Sequence, residues 1–172
     1  MLTAARSGEV RNARWRDIDL GTALWTVPAN LMKAGRVHRV PLSPAAIAVL
    51  HEMLNGAEPN PDEVVFRALH GGRLSDMSLA MAPRRSGWRT DEGETLTLHG
   101  TARSSFPDWA AEYSSHPSEV CEMALAHAVG DKVEAANQRG DLFAKRIALM
   151  NDWGAFCEGT AGGNVIPLHA AR

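Results

Sequence analysis

Apolar positions recur along this chain at two spacings, and the change from one to the other outlines its elements. Leu2, Val10 and Ala13, with Ala4 and Ala5, form a stripe at helical spacing. This predicts a first helix that contains Arg6-Ser7-Gly8-Glu9-Val10. From Trp15 to Asp19 the period changes. Ala23-Leu24-Trp25-Thr26-Val27-Pro28 reads as a strand, and Arg36-Val37-His38-Arg39-Val40-Pro41-Leu42 as a second with clear alternation. Met32-Lys33-Ala34-Gly35 holds the turn, so a β-hairpin with Lys33 near its tip is expected. Ser43-Pro44 puts a capping hydroxyl and an N1 proline in the right order for a helix over 44–54.

Beyond it, Val64-Val65-Phe66 is a short buried run, and a second capped helix runs from near Ser75 to about Arg85. The polar stretch 86–95 reads as a loop. A further helix is predicted from about Gly100 to Tyr113, with Pro107 inside it. An interior proline costs ~3 kcal/mol or more, so a kink or early break is expected one turn after Arg103. His116-Pro117-Ser118-Glu119 opens the next helix, which carries Val120, Met123, Ala124 and His127 at helical spacing. A short helix over 132–138 follows, then a long one capped by Asp141. In that last helix Phe143, Ile147 and Met150 form one apolar row and Leu149, Trp153 and Phe156 the next. Residues 159–172 read as a flexible tail.

A length of 172 residues suffices for one domain with a real core. No apolar run approaches the ~20 residues that span a bilayer. The start, Met1-Leu2-Thr3-Ala4-Ala5-Arg6, lacks the build of a signal peptide. A cytoplasmic protein without membrane contact is expected. Cys121 and Cys157 lie far apart with no CxxC, and the histidines form no HExxH or paired Cys/His spacing. Neither a disulfide frame nor a metal site is expected. The formal charge of −2 argues against a uniformly basic nucleic-acid binder. Yet Lys33, Arg36, His38 and Arg39 cluster, as do Arg84, Arg85 and Arg89. A binding face can be basic while the whole is not. Taken singly, each cluster reads as solvated surface charge.

The chemistry concentrates at Thr97-Leu98-His99-Gly100-Thr101-Ala102-Arg103, at the opening of a predicted helix. An arginine is a permanent planar cation whose fork matches two phosphate oxygens. A helix start adds free N–H groups and the positive end of the dipole, and the histidine exchanges protons near neutral pH. These parts suit phosphoryl chemistry. Isolated Arg and His residues at helix starts are more often caps or surface residues, so the rest of the chain decides.

The order is Arg6 in a helix, Lys33 on a hairpin, His99 and Arg103 at a helix start, then Leu125-Ala126-His127. That order resembles the catalytic domain of tyrosine recombinases, the phage-integrase family, and its prophage and genomic-island branch. The resemblance covers roughly residues 1–158. It is carried also by Arg14-Trp15-Arg16-Asp17-Ile18-Asp19, His38-Arg39-Val40-Pro41-Leu42-Ser43 and Val133-Glu134-Ala135-Ala136 followed by Arg139-Gly140-Asp141-Leu142-Phe143. It implies an α+β fold, mainly helical, with a small antiparallel β-sheet near the N-terminus. It implies site-specific recombination and integration of double-stranded DNA, with other recombinase protomers as further partners and no metal or other cofactor. In the family's scheme Arg6 and Arg103 grip the scissile phosphate, and Lys33 is the general acid for the leaving 5′ oxygen. His99 and His127 supply proton transfer and hydrogen bonds. A tyrosine forms the covalent 3′-phosphotyrosyl bond.

The sequence departs from that scheme where the tyrosine belongs. Asn137 follows Val133-Glu134-Ala135-Ala136. A carboxamide has a delocalised nitrogen lone pair and no accessible anion near pH 7, so it does not replace a phenol. The single tyrosine, Tyr113, reads as a core or surface residue. His99 and Arg103 stand one residue further apart than the family's His-x-x-Arg, and Pro107 stands where relatives commonly carry an arginine. The family's N-terminal DNA-clamping domain and the first catalytic elements have no counterpart in these residues, so a truncated catalytic domain is expected. By family the chain is a strand-cleaving and rejoining recombinase, defective in cleavage as it stands. The alternative is a non-catalytic DNA-binding or interaction remnant of a mobile-element integrase.

Overall fold

The computed structural model describes residues 1–87, 89, 93, 103–127 and 140–160. Among these, helix α1 spans Ser7–Asn12, strands β1, β2 and β3 span Ile18–Asp19, Leu24–Val27 and His38–Pro41, and helix α2 spans Pro44–Leu54. Helix α3 (Asp76–Ser86), α4 (Ser105–Tyr113), α5 (Ser118–Ala124) and α6 (Phe143–Cys157) follow. The fold is α+β, mainly helical, with one small antiparallel sheet in the order β1-β2-β3. Its register pairs Trp25 with Val40 and Val27 with His38. No helix among the described residues is long and apolar enough to cross a membrane.

Two apolar clusters support this architecture. One joins the sheet to α2 through Trp25, Val27, Val40, Ala46 and Leu50. Alternation in β2 produces it, because Trp25 and Val27 point inward while Leu24 and Thr26 are half-buried. The other joins α4, α5 and α6 through Phe106, Trp109, Val120, Leu149 and Trp153. Trp153 meets Phe106 edge-on at 5.4 Å and Trp109 at 5.1 Å between ring centroids. Such aromatic pairs add about 0.5–1.5 kcal/mol each beyond their burial.

The hairpin and the α2 and α3 starts follow the sequence reading, with Ser43 and Ser75 each accepting a backbone N–H as the cap. Elsewhere the structure corrects it. α1 is short and begins after Arg6, because Arg6 is extended (φ −71°, ψ 149°) and forms the N-cap instead of lying within the helix. A short strand, β1, occupies Ile18–Asp19, where only a change of period was legible. The α-helix around Pro107 starts at Ser105, preceded by a π-type turn at Arg103 and Ser104. Pro107 therefore sits in the first turn of α4, just after that π-type turn, and α4 continues unbroken to Tyr113. The cap before α6 is Leu142 in the left-handed region (φ 48°), while Asp141 accepts the Phe143 N–H at 3.2 Å. Of the apolar row Phe143, Ile147 and Met150, only Met150 is buried, and Ile147 is exposed. The predicted helix over 132–138, the loop beyond Gly87 for the most part, and residues 161–172 of the tail lie outside the described residues.

Candidate functional site

Arg6 is held by its own helix. The Glu9 carboxylate accepts the Arg6 backbone N–H at 2.7 Å and pairs with the guanidinium at 2.9 Å. The first contact is one half of a capping box, with a carboxylate at the third helical position reaching back to the cap. Glu9 is only 3% exposed. A buried carboxylate is tolerated only when paired, and both of its oxygens are committed to Arg6. The sequence offered Glu9 only as an i+3 neighbour of Arg6, and the missing signal was its burial.

Arg103 joins three segments. One guanidinium nitrogen, Nη1, donates to the Ala4 carbonyl at 2.6 Å, and the other, Nη2, donates to the Leu125 carbonyl at 2.6 Å. Ala4 is fully buried with φ 49°, so its backbone is fixed in a left-handed turn just before Arg6. Leu125 closes α5, and its carbonyl is among the helix-end acceptors that need an outside donor. Nη2 also lies 3.2 Å from His127 Nε2, while His127 Nδ1 lies 2.7 Å from the Glu122 carboxylate. A guanidinium has no acceptor, so His127 Nε2 accepts and Nδ1 carries the proton toward Glu122. The tautomer of His127 is thereby set. It lies past the end of α5, after Ala126 at φ 52°, and not on the helix's apolar face.

Burial and then the neighbouring Arg6 cation lower the Arg103 pKa, with Glu9 and Glu122 opposing. A guanidinium stays charged throughout. Two cations close enough to disfavour one another, with helix-end and turn carbonyls fixing one of them, make a place where an anion is favoured. Three of the five Arg103 donors are spent on the contacts to Ala4, Leu125 and His127. The other two are uncommitted among the described residues.

Arg6, Arg103 and His127 are thus brought together. Lys33 stands exposed at the hairpin tip and makes no hydrogen bond or ion pair with them. His99 and Asn137 lie outside the described residues. Tyr113 is 58% exposed and stacks on Phe156 at 6.0 Å, in the helical half of the molecule. No group of three or more His, Cys, Asp or Glu suited to a metal occurs among the described residues.

His38 adds a contact that the sequence did not single out. It lies in β3, and its Nε2 reaches the Ala124 carbonyl at 3.3 Å, one residue before the carbonyl that Arg103 holds. Burial first, then the Arg146 cation, push its pKa down to about 4, so it is neutral at pH 7 and donates from Nε2. Arg146 itself is 1% exposed and donates to the backbone carbonyls of Asp141 and Arg39, tying α6 to β3. Nothing in the sequence separates this arginine from a surface residue of an amphipathic helix.

The fold and the grouped residues define a helical α+β domain of the tyrosine-recombinase type. The sequence pattern of the phage integrase family matches residues 1–135, and the chain belongs to that family. It is 31% identical to prophage integrase IntA of Escherichia coli K12 over 100% of its own length and 40% of that protein. It is 30% identical to prophage integrase IntZ of the same organism over 98% of its length and 40% of that protein. The crystal structure of XerA recombinase shares the fold, with a TM-score of 0.59 at 16% identity, covering 92% of this chain and 53% of that one. The chain spans about two fifths of the length of these prophage integrases.

Proposed function

We propose that this domain serves site-specific DNA recombination and integration as a phosphate-gripping scaffold, and that it does not cleave DNA strands. The observation that carries the first half is Arg103, fixed by Ala4 and Leu125 beside Arg6, with donors left over for a phosphate oxygen. In this reading Arg6 and Arg103 take the non-bridging oxygens of a backbone phosphate. Charge developing on those oxygens in a pentavalent state is where preorganised cations act most strongly. Lys33 approaches from the hairpin tip as proton donor to the leaving oxygen, and His99 adds a further hydrogen bond.

His127 has a defined task to perform first. Its Nε2 is occupied as an acceptor from Arg103, so a phosphate that needs a donor there must displace the Arg103 contact. Glu122 holds the imidazole in place through Nδ1 while that exchange takes place. The second half of the proposal rests on Asn137, which stands where the resemblance puts the nucleophile and has no group able to form a phosphoester.

A labelled duplex tests both halves. The wild-type chain is expected to bind it in low salt, to lose affinity on Arg103→Gln, and to leave no denaturation-resistant adduct on nicked DNA. A covalent adduct formed by the wild type removes the second half. Failure to bind at low salt removes the first and leaves a folded remnant. Asn137→Tyr on the same nicked DNA asks whether the missing hydroxyl alone separates scaffold from enzyme.

A further inference from the structure

A second group of arginines lies at the other end of α1. Arg14, Arg67 and Arg73, with Asn12, Asp62 and Glu63, line an open groove of about 440 Å3. Its walls are fastened by backbone contacts. Arg14 pairs with Val64 and Arg67 with Arg73 as short antiparallel bridges, and the Val65 N–H donates to the Ala13 carbonyl at 2.9 Å. Gly71 and Gly72, at φ 86° and 70°, turn the chain between Arg67 and Arg73. These φ values suit glycine, so the turn that brings the two arginines opposite each other is written into the sequence.

The groove is not neutralised from within. Arg67 pairs with Glu63 at 2.8 Å, and Asp62 is taken by Arg16 at 2.8 Å. Arg14 donates to the backbone carbonyl of Asp62, and Arg73 donates to the Asn12 side-chain oxygen at 2.7 Å. Both acceptors are uncharged. Among the described residues neither Arg14 nor Arg73 has a carboxylate within ion-pair distance. Each is therefore oriented by one hydrogen bond while keeping its full charge and further donors.

We propose that this groove binds phosphate groups, and that its ligand is the DNA backbone beside the phosphate held at Arg6 and Arg103. The identity of the ligand rests on the function proposed above, whereas the anion site does not. Arg6 caps one end of α1 and Asn12 is its last residue, six helical positions on. At 1.5 Å per residue that is roughly 9 Å. A duplex carries one phosphate per about 1.7 Å of its axis, so DNA lying along α1 presents several backbone phosphates over this distance.

Two measurements test it. Inorganic phosphate is titrated at constant ionic strength, against chloride, while the side-chain N–H resonances of Arg14 and Arg73 are followed. Phosphate-specific shifts in both, absent from Arg14→Gln/Arg73→Gln, are expected, and no shift overturns the site whether or not the chain binds DNA. Duplex affinity is then measured against salt. The double variant is expected to lose about 2 from the log–log slope, roughly one per arginine, while Arg85→Gln/Lys145→Gln, with the same charge change at exposed side chains outside the groove, keeps its slope. Phosphate shifts without a slope change overturn the DNA assignment in favour of a free phosphorylated ligand. Should the double variant fail to fold, Arg73→Gln alone, at an exposed side chain, is expected to lose about 1, and an unchanged slope there overturns the proposal equally.

Discussion

The two halves of the molecule hold together by different means. The sheet half buries alternating strand residues, Trp25 and Val27 of β2 and Val40 of β3, against Ala46 and Leu50 of α2. The helical half depends on a few large rings, with Trp153 touching Phe106, Trp109 and Phe156. The candidate site belongs to neither. Ala4 and Leu125, whose carbonyls hold Arg103, are in the helical cluster, while Ala5 and Ala126, their immediate neighbours, pack on the sheet cluster. Arg103 and His38 each cross this seam by hydrogen bonds to backbone. A phosphate site placed there is rigid only as long as the two halves stay in register.

The largest expected effect comes from breaking one half alone. Trp153→Ala removes a side chain that is 2% exposed and central to the ring cluster, for a cost of about 3–5 kcal/mol. Urea unfolding followed by circular dichroism and by tryptophan fluorescence checks it. If the two probes keep coincident transitions, the halves unfold as one unit. Separate transitions in the variant would show that the seam is the weaker joint.

The sheet half was the more legible in the sequence, and the reason is physical. Alternation in Leu24 to Val27, the Ser43-Pro44 cap and the Ser75 cap are local signals, and local geometry follows from them. The helical half depends on where chain segments meet. Pro107 looked like a break because the sequence does not say on which residue α4 begins. Arg6 looked helical because the apolar stripe runs through it, while Glu9 draws it out as a cap. Arg6, Arg103 and His127 were legible as candidates, but only tertiary contacts reveal that Glu9 and Glu122 orient two of them and that His38 and Arg146 brace the seam.

Acid sharpens the comparison at one residue. The His38 pKa is about 4 when folded, against 6.5 for an ordinary histidine, so between these values the unfolded chain takes up a proton that the folded chain refuses. Stability from this group is complete above pH 6.5 and is lost as the pH falls toward 4. That difference corresponds to roughly 3 kcal/mol at the acid end. His38→Gln, measured by denaturant melts from pH 7 to pH 4, is expected to be less stable at pH 7 and to flatten that part of the profile. An unchanged slope would mean that His38 does not titrate across the seam.

The smallest effect probes the seam where α6 packs against the start of α2. Gly154 in α6 faces the cap of α2, and a Cβ built on it would lie 2.6 Å from the Ser43 side-chain oxygen and 2.8 Å from its Cβ. Ser43 is fully buried and its hydroxyl accepts the Ala46 N–H, so it has little room to retreat. Gly154→Ala is therefore expected to cost about 1–3 kcal/mol by overpacking, although alanine is the better helix former. Ser43→Gly removes both clashing atoms and, at an N-cap, costs only about a few tenths of a kcal/mol. The double variant should be more stable than Gly154→Ala alone, with a coupling of about 0.5–3 kcal/mol in the relieving direction. Strict additivity would mean that α6 and α2 shift apart to admit the methyl group. In that case duplex affinity is expected to fall in the same variant, because the contacts of Arg103 depend on the same register.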